Sequence, residues 1–132
     1  MSQENLETVR RTMDAYNARD LTTYLAALSE SVRFQSRFSA IDNVTYNGHA
    51  DMRRYFANLD EAWSRYDMQV ERMVPAGAQV AVLCHLYAVG RDSAVQLEEY
   101  PGVVFTVESG TIVRIDSYQT HAETLAAVGM PD

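Results

Sequence analysis

Few side chains in this sequence are placed to move a proton, and Glu99 is the one whose surroundings are unusual. Across 94–107 the odd positions Val95, Leu97, Pro101, Val103, Phe105 and Val107 are apolar, and Glu99 falls in phase with them. Alternation of that kind predicts a strand with one covered face. A carboxyl set in such a face loses hydration, holds its proton more tightly and becomes a usable general acid or base. A second orientation is open, because Pro101-Gly102 can mark a bulge or bend that returns Glu99 to solvent and brings Glu98 inward in its place.

His121 is the other candidate catalytic residue. In the first turn of a short final helix its imidazole could overlook a pocket mouth and exchange protons near pH 7, and the alternative is an ordinary exposed helix-terminal residue. Tyr16 could assist through its hydroxyl. His49 follows Asn47-Gly48 at a helix start with no histidine or carboxylate at ligand spacing, so no metal motif is present. Cys84 has no second cysteine to pair with and no histidine on its own face of the strand to draw off its proton, which argues against a nucleophile. Glycine-rich phosphate loops, nucleophile elbows and dinucleotide fingerprints are absent, so no cofactor is implied.

The chain that must position these residues has 132 of them, 47% apolar and 22% charged. A chain of this length buries roughly two-thirds of its extended surface, enough for one core, and 1–132 is expected to be a single domain. The basic residues are all arginine, and a net charge of -7 would repel a phosphate backbone, so nucleic acid is not an expected partner. No apolar stretch approaches the ~20 residues that cross a bilayer, the polar start lacks the regions of a signal peptide, and one unpaired cysteine suits a reducing compartment. A cytoplasmic protein without membrane contact is expected.

Leu6, Val9, Met13 and Tyr16 recur at spacings of three and four and predict a first helix that frays near Asn17. Asp20 then caps a shorter helix carrying Leu21, Tyr24, Leu25 and Leu28. Period two over 31–39 predicts a strand with Val32, Phe34 and Phe38 on one face. After a loop or short edge hairpin at 40–47, Asn47-Gly48 opens the longest helix, with Met52, Tyr55, Phe56, Leu59 and Trp63 on its apolar face. Strands at 68–74, 79–89, 94–107 and 111–119 follow, joined by short turns as antiparallel neighbours. Thr120 and Glu123 have capping-box spacing before a last helix that Gly129 and Pro131 end. Helices gathered before a long antiparallel sheet predict an α+β fold with the helices on one face. Val80, Val82, Cys84, Leu86 and Ala88 then point inward, as do Val113, Ile115, Ser117 and Gln119. His85 and Tyr87 fall on the other side with Ile112, Arg114, Asp116 and Tyr118.

This order of elements, with several local strings, resembles the SnoaL-like branch of the nuclear transport factor two-like (ketosteroid isomerase-like) superfamily. The strings are Glu4-Asn5-Leu6-Glu7-Thr8-Val9-Arg10-Arg11, Tyr16-Asn17-Ala18-Arg19-Asp20-Leu21, Tyr46-Asn47-Gly48-His49 leading into Met52-Arg53-Arg54-Tyr55-Phe56, Phe105-Thr106-Val107 with Gly110-Thr111-Ile112-Val113-Arg114, and Ala122-Glu123-Thr124-Leu125-Ala126-Ala127-Val128-Gly129. The resemblance covers essentially the whole chain. It implies a cone-shaped α+β barrel, a deep apolar pocket between the curved sheet and the helices, and a homodimer formed through the outer sheet face. In the relatives that isomerise ketosteroids, a carboxylate base works with a tyrosine and a protonated carboxyl. Those roles would fall here on Ser36, Thr12 and Val103, none of which can fill them. The acid that SnoaL-like cyclases carry near the end of the final strand is replaced by Gln119-Thr120-His121.

The expected pocket is apolar, lined by Phe34, Phe38, Tyr55, Trp63, Leu86 and Phe105, with Tyr16, Ser36, Cys84, Ser117 and Gln119 as polar points that orient an apolar small-molecule ligand. The aromatic positions are equally what a packed core requires. His85, Tyr87, Arg114, Asp116 and Tyr118 form the mixed outer face expected to pair protomers. Two functions stay open. One is a cofactor-independent isomerase, dehydratase or cyclase acting on an apolar oxygenated substrate through Glu99 and His121. The other is a noncatalytic ligand-binding or interaction module of the same fold.

Overall fold

The computed structural model describes residues 2–37 and 44–131. The chain runs α1 (Ser2–Ala18), α2 (Leu21–Ala26), β1 (Leu28–Gln35), β2 (Thr45–Asn47), α3 (Gly48–Ala62), β3 (Trp63–Ala76), β4 (Gln79–Gly90), β5 (Gln96–Glu99), β6 (Gly102–Glu108), β7 (Thr111–Tyr118) and α4 (His121–Ala127). The expected α+β architecture is present. A curved, unclosed sheet in the order β2-β1-β7-β6-β4-β3, with β5 extending from β4, wraps around α1, α2 and α3. Only the β1–β7 pairing is parallel among the described strands.

The periodic residues of α1 fill the hollow of the sheet, with Val9, Met13 and Tyr16 all buried. Asn17 locks the end of α1 to β3 by donating to the Met68 carbonyl and accepting from the Met68 amide, both at 2.9 Å. Arg19 turns the chain with φ 57°, and the Asp20 carboxylate accepts from the Thr23 amide to cap α2. Leu28, expected on α2, instead begins β1 and pairs with Ile112. Its spacing from Leu25 imitates a helical period across a helix boundary. Of the expected strand at 31–39, the part at 31–35 lies in β1, and Phe38 and Ser39 lie outside the described residues.

Trp63, expected on the third helix, is the first residue of β3, which starts five residues before the predicted 68. Four residues separate Leu59 from Trp63, and a helical period cannot distinguish the last turn from the first strand residue. The strand expected at 94–107 is interrupted at Tyr100 and Pro101, yet its register is continuous, Leu86 pairing with Glu99 and Leu83 with Gly102. Pro101 has no N–H for the ladder, but its carbonyl accepts from the Cys84 amide at 2.9 Å. The alternation is therefore not flipped. In β7 it is: Thr106 pairs with Arg114 and Val107 with Ile112, which leaves Val113 as the extra residue of a bulge. Ile112, expected outside, is fully buried in the core.

The helices do not all share one face. Leu125 of α4 packs against Val74, Ala81, Leu83 and Val104 on the outer side of the sheet, an apolar set interleaved with the inward-facing one. Gly102 permits this approach, since a Cβ there would lie 2.6 Å from both the Cβ and Cγ2 of Thr124.

Candidate functional site

A cavity of ≈430 Å³ opens between the end of α3 and the strands β3, β4 and β5. That is within the size range of small-molecule sites, about 300–1,000 Å³. Each element contributes by register. Trp63 and Tyr66 of β3 pair with Gly90 and Ala88 of β4, and Leu97 and Glu99 of β5 pair with Ala88 and Leu86 from the other side. Direct antiparallel partners share a face, so these side chains rise around Leu86, while the small Ala88 between them is fully buried. Tyr46 of β2 with Tyr55 and Leu59 of α3 line the cavity as well, and Ser36, Pro101, Gln119 and Thr120 complete its lining.

Glu99 faces this cavity as its alternation predicted, and it is the one carboxylate among the described lining residues. It is exposed, not buried. β5 is a four-residue strand paired with β4 alone, and among the described residues no further strand pairs with its outer edge. The Glu99 carboxylate makes no hydrogen bond or ion pair among the described residues. Glu98 points to the opposite face, where its Oε2 lies 2.7 Å from His85 Nε2.

Behind the cavity wall lies an aromatic cluster. The hydroxyls of Tyr16 and Tyr55 are 2.9 Å apart, and Tyr55 meets Phe34, Tyr46 and Phe56 edge-on. Burial pushes the phenols of Tyr16, Tyr24 and Tyr55 well above their ordinary range, so they stay protonated and available as donors. Tyr55 also borders a second, interior void of ≈30 Å³ that touches Tyr16, Phe34, Phe105 and Ser117. The residues expected around one pocket thus divide: Ser36, Tyr55, Trp63, Leu86 and Gln119 line the large cavity, whereas Tyr16, Phe34, Phe105 and Ser117 sit deeper around the void. The Ser117 hydroxyl accepts from the Arg37 amide at 3.0 Å. Cys84 is fully buried and lines neither space, and burial pushes its thiol up to about 12, with Glu71 adding to the effect.

His121 is on the other side of the sheet from Glu99. Its Nε2 donates to the Cys84 carbonyl at 2.8 Å and its ring meets Tyr100 edge-on. Tyr100 in turn stacks on His85 with centroids 4.6 Å apart. Further along this face, Asp116 is buried between Arg37 and Arg114, each 2.8 Å away, while Arg37 lies over the Tyr118 ring and Arg65 over Tyr87. His49 Nε2 donates to the Leu28 carbonyl at 3.0 Å, which ties the start of α3 to β1. Among the described residues no cluster of His, Cys, Asp and Glu is arranged to hold a metal ion, and no helix is long and apolar enough to cross a membrane.

Tyr46, Leu59, Tyr66 and Thr120 were not singled out from sequence as cavity residues. For Tyr66 a signal existed: Tyr66, Met68 and Val70 alternate in phase, which extends β3 back toward Trp63. Tyr46 had no comparable signal, because its place depends on a three-residue strand.

The same architecture recurs in solved structures. An NTF2-like protein of unknown function from Burkholderia pseudomallei K96243 superposes with a TM-score of 0.80 at 20% identity, over 96% of this chain and 98% of that one. A protein with a ketosteroid isomerase-like fold from Catenulispora acidiphila DSM 44928, in complex with trimethylamine, gives 0.77 at 13% identity over 95% and 94%. TerC, co-crystallised with polyporic acid, gives 0.79 at 13% identity over 95% and 97%. No curated protein matches the chain in sequence. The cone of helices inside a curved sheet is the fold these structures share, and residues 9–115 match the SnoaL-like domain, so the chain belongs to the SnoaL-like domain family.

Proposed function

We propose that this domain binds a small, mostly apolar molecule in the ≈430 Å³ cavity. The observation that carries the reading is the lining: aromatic and aliphatic side chains beside Ser36, Glu99, Gln119 and Thr120, with polar and apolar surface about equal, so that an apolar body can pack while its polar end is oriented. The neighbours crystallised with trimethylamine and with polyporic acid support small-molecule binding as a use of this fold. Trp63 is the sole tryptophan of the chain and lines the cavity, so its emission reports occupancy. Titration with 2-naphthol is expected to change Trp63 emission saturably, and no change at any soluble concentration refutes the reading.

A second reading is favoured by the position of Glu99, a carboxylate on the cavity face. It would act as a base toward an acidic C–H of an oxygenated ligand, in an isomerisation, dehydration or cyclisation, with the Tyr55 hydroxyl as a donor to the ligand oxygen. His121 takes no part in this version. The test is deuterium wash-in at the α-carbons of 2-tetralone in D2O, followed by NMR. Exchange above the buffer rate that is lost in Glu99→Gln supports catalysis; exchange equal in both proteins, or absent from both, leaves the domain a binding module. The outer face with His85, Tyr87, Arg114, Asp116 and Tyr118 we propose as a homodimer contact, for which Tyr87→Glu is expected to yield a monomer by analytical ultracentrifugation with the cavity still able to bind.

A further inference from the structure

We infer that the ligand of this cavity is a small organic cation of the alkylammonium class, held between the Glu99 carboxylate and the aromatic corner formed by Trp63 and Tyr66. The inference rests on the ligand-binding reading above and gives Glu99 the part of a counter-ion.

The geometry follows from the strand order. β5, β4 and β3 are consecutive, so Leu97, Ala88 and Tyr66 lie in one row across the sheet, and Glu99 and Leu86 lie in the next. The outer members of a row are two strand spacings apart, about 10 Å between backbones. Ala88, between Leu97 and Tyr66, contributes a single methyl that is fully buried, so the cavity is bounded by its taller neighbours. Glu99 stands on one bank. On the other, Trp63 and Tyr66 meet with centroids 5.9 Å apart and planes at 51°.

Charge decides among ligands of suitable shape. Among the described lining residues Glu99 carries the one formal charge, and none is arginine or histidine. The chain contains no lysine, and the undescribed segment 38–43 has no basic residue in its sequence. An anionic ligand would meet an unneutralised carboxylate inside a protein of net charge -7. A neutral ligand would strip water from the Glu99 side of the cavity and could return a hydrogen bond but no counter-charge. A cation supplies the missing counter-charge and draws on the negative faces of the rings. The arginines on the far side of the corner are engaged elsewhere: Arg19 with Asp60, Arg65 with Asp67, and Arg91 with the carbonyls of Asp60 and Trp63. Arg19 also lies 5.9 Å from the Tyr66 centroid, whereas among the described residues no guanidinium lies over Trp63. The best π-donor in the cavity is left for the ligand.

The experiment compares choline with 3,3-dimethylbutan-1-ol, which replaces the quaternary nitrogen by carbon at the same shape, read by Trp63 emission and by the indole N–H resonance. Choline is expected to bind at least about tenfold more tightly, the order of one desolvated cation–π contact with a carboxylate nearby. Glu99→Gln is expected to bring the two affinities to within about threefold of each other, and added salt should weaken choline more than the alcohol. Because Glu99 is exposed, the variant is expected to keep its fold, which circular dichroism checks. Equal binding of the two ligands, or binding of 2-naphthol without either, overturns the cation assignment and leaves the cavity reading intact. Failure of 2-naphthol, choline and the alcohol alike overturns both.

Discussion

Gly102→Ala tests how the outer helix is fixed, and with it the mouth of the cavity. The three atoms nearest to a methyl added at Gly102 all belong to Thr124, whose Cβ and Cγ2 would lie 2.6 Å away, with its hydroxyl closer still. Thr124 cannot swing away easily. It is fully buried, and its hydroxyl donates to the Thr120 carbonyl at 2.7 Å in the first turn of α4. Two outcomes are open to the chain. If the helix stays, the overpacked contact costs about 1–3 kcal/mol. If it lifts, the burial of Leu125 is lost, about 1.5–3 kcal/mol, together with the His121 hydrogen bond to the Cys84 carbonyl, about 1 kcal/mol. The less costly route is taken, so the loss is about 1–3 kcal/mol. For a chain of this length that is roughly 4–12 °C in Tm, at about 4 °C per kcal/mol.

The assay is urea unfolding followed by circular dichroism, run as a double-mutant cycle with Thr124→Gly. Removing the Thr124 side chain removes all three colliding atoms, so in that background Gly102→Ala is expected to cost less than about 0.5 kcal/mol, against about 1–3 kcal/mol in the parent. The same variant should weaken 2-naphthol binding, because Pro101 precedes Gly102 while Gln119 and Thr120 lead into α4, and all three line the cavity. A cost below about 0.5 kcal/mol in the parent, or an equal cost in both backgrounds, refutes the claim that Gly102 is required by the seat of α4.

Cys84 should be inert to Ellman's reagent at pH 8 in the folded protein and react fully in guanidinium, since its thiol is buried and pushed up to about 12; rapid labelling of the native state would contradict its placement. Tyr55→Phe leaves the Tyr16 hydroxyl without this partner in a buried site and is expected to cost about 1–2 kcal/mol in urea unfolding. Asp116 is subject to opposed effects: burial raises its pKa, but hydrogen bonds and charge from Arg114 and Arg37 outweigh it and hold the carboxyl below its usual range. Stability from this group is therefore complete above the unfolded Asp value, about pH 4, and is lost as pH falls through the lower folded value. Asp116→Asn should cost about 1–2 kcal/mol at neutral pH, discounted for the partly exposed arginines, and should flatten the acid limb of a stability profile.

How far these features could be read beforehand follows from the range of the interaction behind each. Alternation along a strand is local, so the inward set Val80, Val82, Cys84, Leu86 and Ala88 could be read directly and is buried as expected. The capping of α2 by Asp20 and of α4 by Thr120 depends on three or four residues and was equally legible. Trp63 and Leu28 were assigned to helices because a period of four continues smoothly across a junction. Only pairing with distant partners, Gly90 and Ile112, settles those two residues as strand. The bulge at Val113 is invisible for the same reason, since an inserted residue is defined against its neighbour strand.

Glu99 separates the two kinds of information within one residue. The face it points to is fixed by its phase with Leu97 and by an unbroken register through Pro101, and that part of the reading was available from the chain. Its exposure is set by what lies beyond it, and beyond the short β5 no described element lies. The consequence is chemical: water reaches the carboxylate but does not remove its charge from the cavity's edge. An acid in that position is better suited to choosing a ligand by sign than to extracting a proton. The contest between choline and its carbon isostere is therefore the more decisive of the experiments on Glu99, because a preference for the cation that Glu99→Gln abolishes would account for the acid without invoking catalysis.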